Sequence, residues 1–468
     1  MSIEPEQKEQ PRPPRPKKGE AVEVTFDALA FGGAAVGRRE GFVIFTKYAA
    51  PGDRATVRLH HSKKNYGEGD LVEILQPAPE RIVPICPLFT NCGGCSWQHL
   101  PIEVQRTWKE RIVRDSLRAI PGSESIVVHP LIASPDTWRY RNKMEFTFAR
   151  WPNGKLVAGF HRPDNWREIL DVEKCWLAPE PVERILRAAV AEGVRQDQTA
   201  WNPKTHEGSL RQLVIRHSIA EDGFIALLLT GDRTLDFPAM AEAMMRAEPR
   251  LKGIAWGLNA NQSDVARASD IIETRGAVTL EERLGDYTFR VSLASFFQTN
   301  TRGAVKLYEV VREVLELTGK ERLLDAYCGT GTIGIFCASG AKEVYGIELV
   351  QDAIHDAREN AARNGLSNTM FMAGDMRAAL PAMMNAIEGR IDRLVVDPPR
   401  GGMERKALDQ LLALRAPRIA YVSCNPTTMA RDLLPAIEAG YIVECVTPVD
   451  MFPQTYHVEC VAKLSLKQ

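Results

Sequence analysis

The sequence predicts an α/β chain of several domains, with a small β-barrel at its start and a doubly wound parallel sheet at its end. Three observations predict this. From about residue 286 to residue 468, short apolar runs alternate with helical segments of about 12 to 20 residues, the pattern of parallel strands joined by helical crossovers. Between Glu20 and about Glu80 the apolar runs are short, alternate in polarity and are separated by glycine turns. Finally, 468 residues exceed what one ordinary core accommodates.

The elements follow in order. Residues 1–19 contain Pro11-Arg12-Pro13-Pro14-Arg15-Pro16, which cannot pack and favours an extended chain, so a disordered basic tail is expected. In residues 20–79, Val22, Val24 and Phe26 alternate, Gly32-Gly33 turns, and Phe42-Val43-Ile44-Phe45 forms a second strand. Pro51-Gly52-Asp53 turns again before Ala55-Thr56-Val57-Arg58-Leu59 and Leu71-Val72-Glu73-Ile74-Leu75. Short strands at this spacing predict a small closed barrel of the OB type. Residues 80–285 are mixed α+β. Leu100 to Ile120 reads as a helix with Ile102, Val104 and Trp108 near one face. Short alternating strands follow at Lys143-Met144-Glu145-Phe146-Thr147-Phe148 and Leu213-Val214-Ile215-Arg216. Residues 286–468 form the doubly wound domain.

Composition sets the class. Apolar residues make up 44% and charged residues 25%, as in a soluble globular protein. The net charge is −1, so no global basic field points to nucleic acid, and any such role is confined to patches such as Arg54, Arg58, Lys63 and Lys64. The first twenty residues lack an apolar secretory segment, and no apolar run approaches the roughly 18 residues of a membrane span. Nine cysteines, odd in number and unevenly placed, argue against a secreted disulfide framework. A cytoplasmic protein without a membrane partner is expected, and a monomer.

Cys86, Cys92 and Cys95 form a close cluster with Gly93-Gly94 between the last two, and Cys175 is a distant fourth. Thiolates held by such a loop bind either structural zinc or an iron–sulfur cluster, and spacing alone does not separate the two. The remaining cysteines Cys328, Cys337, Cys445 and Cys460 lie in apolar runs and read as core.

In the last domain, three strand ends carry chemistry. Leu323-Leu324-Asp325-Ala326-Tyr327-Cys328 runs into Gly329-Thr330-Gly331-Thr332-Ile333-Gly334, and Glu348 ends the next strand. A dinucleotide site has a similar glycine pattern, but there the strand enters the first glycine directly. Here a carboxylate and three residues intervene, as in sites for S-adenosylmethionine, where an acid then meets the ribose hydroxyls. Asp375 ends a third strand, positioned to face the adenine; each carboxylate alone also fits a helix N-cap. Val395-Val396-Asp397-Pro398-Pro399-Arg400 resembles the tetrapeptide of amino-methyltransferases, but Arg400 replaces the aromatic residue. Ile419-Ala420-Tyr421-Val422 ends at Ser423-Cys424-Asn425-Pro426, which exposes a thiol where the strand breaks. A thiolate that adds to C6 of uracil makes C5 nucleophilic, and a base must then remove the C5 proton. Cys424 supplies the thiol, and Glu459 is the candidate base.

Together these motifs resemble the RNA uracil-5-methyltransferase family, the 5-methyluridine synthases of tRNA and 23S rRNA, over nearly the whole chain after residue 20. The resemblance implies a TRAM domain for the barrel, an iron–sulfur domain in the centre and a Rossmann-like methyltransferase domain at the end. It implies Cys86, Cys92, Cys95 and Cys175 as ligands of a 4Fe–4S cluster, Cys424 as nucleophile and Glu459 as general base. In Phe296-Phe297-Gln298-Thr299-Asn300 it implies that Gln298 contacts S-adenosylmethionine and that Phe296 stacks on a flipped-out uracil. Tyr327, Thr332, Glu348 and Asp375 match further cofactor positions, Thr332 standing where some members have asparagine, and Asp397 matches an active-site carboxylate. Pairing a barrel with four cysteines is the layout of the family's rRNA enzymes and of archaeal tRNA enzymes, so a structured RNA, 23S rRNA ahead of tRNA, is expected. An RNA cytosine-5-methyltransferase would carry a cysteine where Arg400 stands. A non-catalytic iron–sulfur RNA-binding protein would need neither Cys424 nor Glu459. The glycine loop disfavours a dinucleotide oxidoreductase.

Overall fold

The computed structural model describes residues 15–259, 261, 265–387 and 389–467. Most of the expected tail, residues 1–14, lies outside them. The chain divides into two compact units: Met1–Thr90, Cys95–Trp108 and Gln454–Tyr456 form the first, and Asn91–Gly94, Lys109–Pro453 and His457–Gln468 the second.

Among its described residues the first unit contains five strands: β1 (Ala21–Leu29), β2 (Ala35–Arg39), β3 (Phe42–Thr46), β4 (Arg54–Ser62) and β5 (Tyr66–Gln76). They close into a barrel in the order β1-β2-β3-β5-β4. Alternation fills it: Val22, Val24 and Phe26 of β1, Ile44 of β3, and Ala55, Val57 and Leu59 of β4 are buried, while Arg54 and Arg58 face out. Gly69 is required on β5, because a Cβ there would sit 2.5 Å from the Val57 side chain and 2.6 Å from the Arg58 carbonyl. The turn read as Pro51-Gly52-Asp53 does more than reverse the chain. The fully buried Asp53 carboxylate accepts from Ala50 N at 2.6 Å, Ala78 N at 2.7 Å and Arg81 Nη1 at 3.0 Å, and so ties the segment after β5 back to the barrel. The expected helix is present as α1 (Ile102–Leu117), and the division between units falls within it.

The second unit contains two large sheets and a hairpin. After β6 (Val127–Val128), the first sheet consists of β7 (Lys143–Arg150), β8 (Leu156–His161), β9 (Ile169–Asp171), β10 (Leu210–Ser218), β11 (Gly223–Thr230), β12 (Leu251–Leu258) and β13 (Asp270–Gly276). Its order is β13-β12-β11-β10-β7-β8-β9. Helices α2 (Pro181–Arg195) and α3 (Phe237–Ala247) carry its apolar cover; Asp236 caps α3 by accepting from Ala239 N at 3.1 Å. The hairpin β14 (Thr279–Leu284) and β15 (Tyr287–Ser292) leads to α4 (Thr301–Leu315).

The doubly wound sheet follows: β16 (Arg322–Ala326), α5 (Thr332–Cys337), β17 (Glu343–Glu348), α6 (Gln351–Arg363), β18 (Thr369–Ala373), α7 (Met376–Ala386), β19 (Arg393–Val396), α8 (Arg405–Ala413), β20 (Arg418–Ser423), α9 (Pro426–Glu438), β21 (Tyr441–Val449) and β22 (Glu459–Leu466). The order is β18-β17-β16-β19-β20-β22-β21-β6, with the strands from β18 through β20 parallel. Successive residues of each central strand face opposite cores. Leu324, Leu394 and Ile419 join one formed with α7, α8 and α9; Leu323, Val395 and Ala420 join another formed with α4, α5 and α6. The expected alternation of strand and helix breaks at the end. β21 and β22 are antiparallel with no helix between them, and β22 inserts next to β20. Three of the four cysteines read as core are buried; Cys445, beside a register shift on β21, is half-buried.

Candidate active site

The order β17-β16-β19 reverses direction between β16 and β19, so their carboxyl ends flank a crevice where open sheets bind ligands. Tyr327 leaves β16 at φ 63°, an unusual conformation for a residue with a side chain, and Gly329 and Gly331 follow at φ 54° and 74°. Glu348, at the end of β17, accepts from Gly329 N at 3.2 Å and from Val350 N at 3.0 Å, fixing its carboxylate beside the glycine turn. The Thr332 hydroxyl is engaged with the Tyr308 hydroxyl at 2.9 Å, so α4 and α5 are linked under the turn. Thr330 Oγ1 donates to the Phe296 carbonyl at 3.3 Å, which places Phe296 and Gln298 on the segment bordering this crevice. Phe296 is 66% exposed, and Gln298 is half-buried.

Of the three carboxylates that sequence left open between ligand contact and helix cap, Glu348 meets the glycine turn as above, and the other two differ from it and from each other. Asp375 caps α7, accepting from Arg377 N at 3.1 Å and Arg377 Nε at 2.9 Å, and these bonds hold its carboxyl below the ordinary range. Asp325 is fully buried within β16 and accepts from Gly334 N at 2.8 Å, bracing the glycine turn from beneath. Burial pushes it up to about 8, and the charges of Asp397 and Glu348 add to the rise.

Cys424 follows the last residue of β20, and Asn425 caps α9 by accepting from Thr427 N at 3.0 Å and Thr428 N at 3.3 Å. Glu459 is the first residue of β22. The β20–β22 ladder pairs Ser423 with Cys460, so Cys424 and Glu459 are the next residues on either side, one leaving its strand as the other enters. On its other flank β22 pairs Glu459 with Val449 of β21. Asp397 directly follows β19, the neighbour of β20, and is half-buried.

Burial sets the protonation of this group. The Cys424 thiol is pushed up to about 11, first by burial, then by the Glu459 charge, against a lowering pull from Arg400. Burial pushes Glu459 up to about 8; Asp397 adds to the rise and Arg400 opposes it. Burial alone pushes Asp397 up to about 6. Burial thus raises all three groups; the Asp397 charge raises Glu459 and Cys424 further, Glu459 raises Cys424, and Arg400 opposes the rise at Cys424 and Glu459. His457 is pushed down to about 4 by burial and by Arg400, Lys109 and Arg141, so it stays neutral there.

Sequence reasoning did not anticipate the Lys109–Asp450 pair. Nζ lies 2.6 Å from Asp450 Oδ1 and donates at 2.9 Å to the Phe452 carbonyl, anchoring the chain that leaves β21 for Glu459. A lysine on a helical face otherwise marked by Trp108, Ile112 and Val113 was its signal.

The four cysteines of the expected cluster are divided between the two units. Cys86 and Cys95 belong to the first unit, Cys92 and Cys175 to the second. Among the described residues, no group of three or more His, Cys, Asp or Glu is arranged to hold a metal ion. All four cysteines are half-buried rather than packed into a core, and Gly94 N donates to Cys92 Sγ at 3.4 Å. The Cys175 loop is tied by Arg139, whose Nη1 donates to the carbonyls of Cys175 at 2.8 Å and Ala178 at 2.7 Å. No helix among the described residues is long and apolar enough to cross a membrane.

The profile of the tRNA (uracil-5-)-methyltransferase family matches residues 259–467, and the TRAM domain profile matches residues 15–72. An uncharacterized RNA methyltransferase of Chlorobaculum tepidum is 38% identical over 96% of this chain and 97% of its own length. Another, from Bacteroides thetaiotaomicron, is 37% identical over 94% of this chain and 100% of its own. Among solved structures, the Pyrococcus abyssi tRNA (uracil-54, C5)-methyltransferase in complex with S-adenosyl-L-homocysteine superposes with a TM-score of 0.76. It is 27% identical and covers 95% of this chain and 100% of its own.

Proposed function

Because the chain belongs to the RNA uracil-5-methyltransferase family, we propose that it makes 5-methyluridine in a structured RNA through a covalent adduct on Cys424. The observation that carries this reading is the ladder register that sets Cys424 and Glu459 side by side at one sheet edge, beside Asp397.

The crevice fits S-adenosylmethionine in kind. Gly329 and Gly331 allow close backbone approach, and Glu348 presents a fixed carboxylate. Tyr327, Thr332, Gln298 and Asp375 complete the proposed contacts. When bound, this cofactor supplies an electrophilic methyl group. The chain's own residues do the rest. The Cys424 thiolate forms a bond to C6 of a uracil stacked on Phe296, and the C5=C6 electrons shift toward O4, leaving C5 nucleophilic. Once C5 carries the methyl group, Glu459 takes its proton, the C5=C6 bond re-forms and the C6–S bond breaks, returning the thiolate. Asp397 and Arg400 tune both charges. RNA with 5-fluorouracil at the target should stall as a Cys424 adduct, since fluorine cannot leave as a proton. Cys424→Ala should give neither adduct nor product, and Glu459→Gln should accumulate the adduct on normal RNA. A Cys424→Ala enzyme that still turns over sinks the mechanism.

We assign residues 20–79 to RNA binding by the barrel, 80–285 to the cluster and further RNA contacts, and 286–468 to catalysis. The donor set fits a 4Fe–4S cluster in kind: four thiols outside the cores, one of them accepting a backbone N–H, as cluster sulfurs do. Cys86, Cys92, Cys95 and Cys175 would hold it, and the methyl transfer requires no electron from it. The proposed target is 23S rRNA, acted on by a cytoplasmic monomer. Similarity to the Pyrococcus enzyme along the whole chain favours tRNA as a second reading. Mapping 5-methyluridine in RNA from a deletion strain decides between them: loss from tRNA with every 23S site intact removes the first reading.

A further inference from the structure

Phe296 and Gln298 sit on a segment held at both ends by side chains of Arg216, on β10, and Asn142, the residue before β7. Arg216, on β10, is only 2% exposed. Its Nε donates to the Leu293 carbonyl at 3.3 Å, and its Nη2 to the Ser295 carbonyl. Glu145 and Asp356 are the acids whose charges reach it, and burial dominates, lowering the guanidinium to about 10. At the other end, Asn142 Nδ2 donates to the Gln298 carbonyl at 2.8 Å and to Thr301 Oγ1 at 2.9 Å, while its backbone N–H donates to the Thr299 carbonyl at 2.8 Å. The two grips lie side by side, one on β10 and one just before its partner β7. Arg216 opposes Lys143, the first residue of β7, and the Asn142 carbonyl accepts from His217 N at 2.8 Å.

Burying a guanidinium onto backbone carbonyls is a costly way to hold a loop, since an apolar side chain would fill the same space without the desolvation penalty. Its advantage is directional. A planar fork fixes two carbonyls at once, and a carboxamide fixes a carbonyl and a hydroxyl. Between the grips the chain exposes Phe296 and buries Phe297; Arg216 holds the Ser295 carbonyl just before Phe296, and Asn142 holds that of Gln298.

We propose that Arg216 and Asn142 are positioning residues that form a two-point clamp, Arg216 setting Phe296 toward the RNA base and Asn142 setting Gln298 toward the cofactor. This rests on the roles proposed above for Phe296 and Gln298. The two anchors should then separate in kinetics. Arg216→Met keeps length and loses both donors; it should raise KM for RNA about tenfold while the S-adenosylmethionine dissociation constant, measured by equilibrium dialysis, stays within about twofold. Asn142→Ala should do the reverse, weakening cofactor binding about tenfold with little change in KM for RNA. Arg216→Lys, which keeps the charge but lacks the fork, should resemble Arg216→Met, and it carries the same test should the methionine variant fail to fold.

Phe296→Ala and Gln298→Ala serve as reference variants. If Phe296→Ala raises KM for RNA while the Arg216 variants change neither constant, or both alike, the clamp is refuted and the reading of Phe296 stands. The same holds for Asn142 measured against Gln298→Ala. If Phe296→Ala leaves KM for RNA unchanged, the role of Phe296 fails and takes the Arg216 assignment with it.

Discussion

The raised thiol of Cys424 yields a measurable reactivity. At pH 8 a free cysteine with a pKa near 8.5 is about one quarter thiolate. With its midpoint pushed up to about 11, Cys424 is thiolate in about one molecule per thousand, some two-hundredfold less. Carbamidomethylation by iodoacetamide, followed on the peptide containing Cys424 by mass spectrometry from pH 7 to 10.5, reports this fraction. Access sets the height of the rate profile and ionisation sets its shape, so the shape is diagnostic. The rate should climb about tenfold per pH unit with no plateau below pH 10. The climb should be shallower near pH 8, where Glu459 ionises and lifts the thiol further. Glu459→Gln removes that charge, so its profile should shift to lower pH and lose the shallow region. Arg400→Gln removes the cation that favours the thiolate and should shift the profile to higher pH. Because both reacting groups are neutral at pH 7, kcat/KM should also rise from pH 7 to 9. A wild-type plateau at or below pH 8.5, or an Arg400→Gln shift toward acid, would falsify this account of the site.

Three further outcomes are expected. Lys109→Met strands a fully buried Asp450 carboxylate and should destabilise the protein by about 3–5 kcal/mol, read as a lower urea midpoint, whereas adding Asp450→Leu should recover most of the loss; a single variant as stable as wild type would show the pair to be dispensable. Replacing Arg58, Lys63 and Lys64 by glutamine should flatten the slope of log affinity for RNA against log salt by about 0.7 per charge removed and leave cofactor affinity unchanged; Arg54 is left out because it pairs with Glu23 at 3.2 Å. Protein prepared without oxygen should contain about four irons and four sulfides, and Cys175→Ser should lower that content; stoichiometric zinc without iron would overturn the cluster assignment.

The sequence was most informative where one residue's local chemistry determines its place. The barrel strands, the strands that carry Asp325 and Glu348, the strand before Asp397 and the strand end at Cys424 were all legible because alternation, apolar runs and glycine turns act over a few residues. Less was legible where position depends on residues far apart in the chain. Glu459 was named as a base, but nothing in Tyr456-His457-Val458-Glu459 indicates an antiparallel strand inserted next to β20. Lys109 with Asp450, and Arg216 with Leu293 and Ser295, are charges whose partners lie 341, 77 and 79 residues away. Their only local trace is a charge on an otherwise apolar face, which a solvated position shows equally well. The four cysteines are the reverse case, conspicuous in sequence through their spacing, while among the described residues no group of three or more His, Cys, Asp or Glu is arranged to hold a metal ion.

The pairing of Ser423 with Cys460 also decides which changes of length the chain tolerates. Side chains on a strand alternate between faces, so one residue inserted early in β22 would exchange Glu459 for a neighbour of opposite orientation, while the strand itself still formed. If Glu459 has the role proposed above, such an insertion should cost more in turnover than in stability. One residue added at the far end of β22, near Leu466, would leave the pair untouched. Length variation among natural relatives should therefore be excluded from the first residues of β22 and admitted at its end, a boundary drawn by the ladder and not by distance from the thiol along the chain.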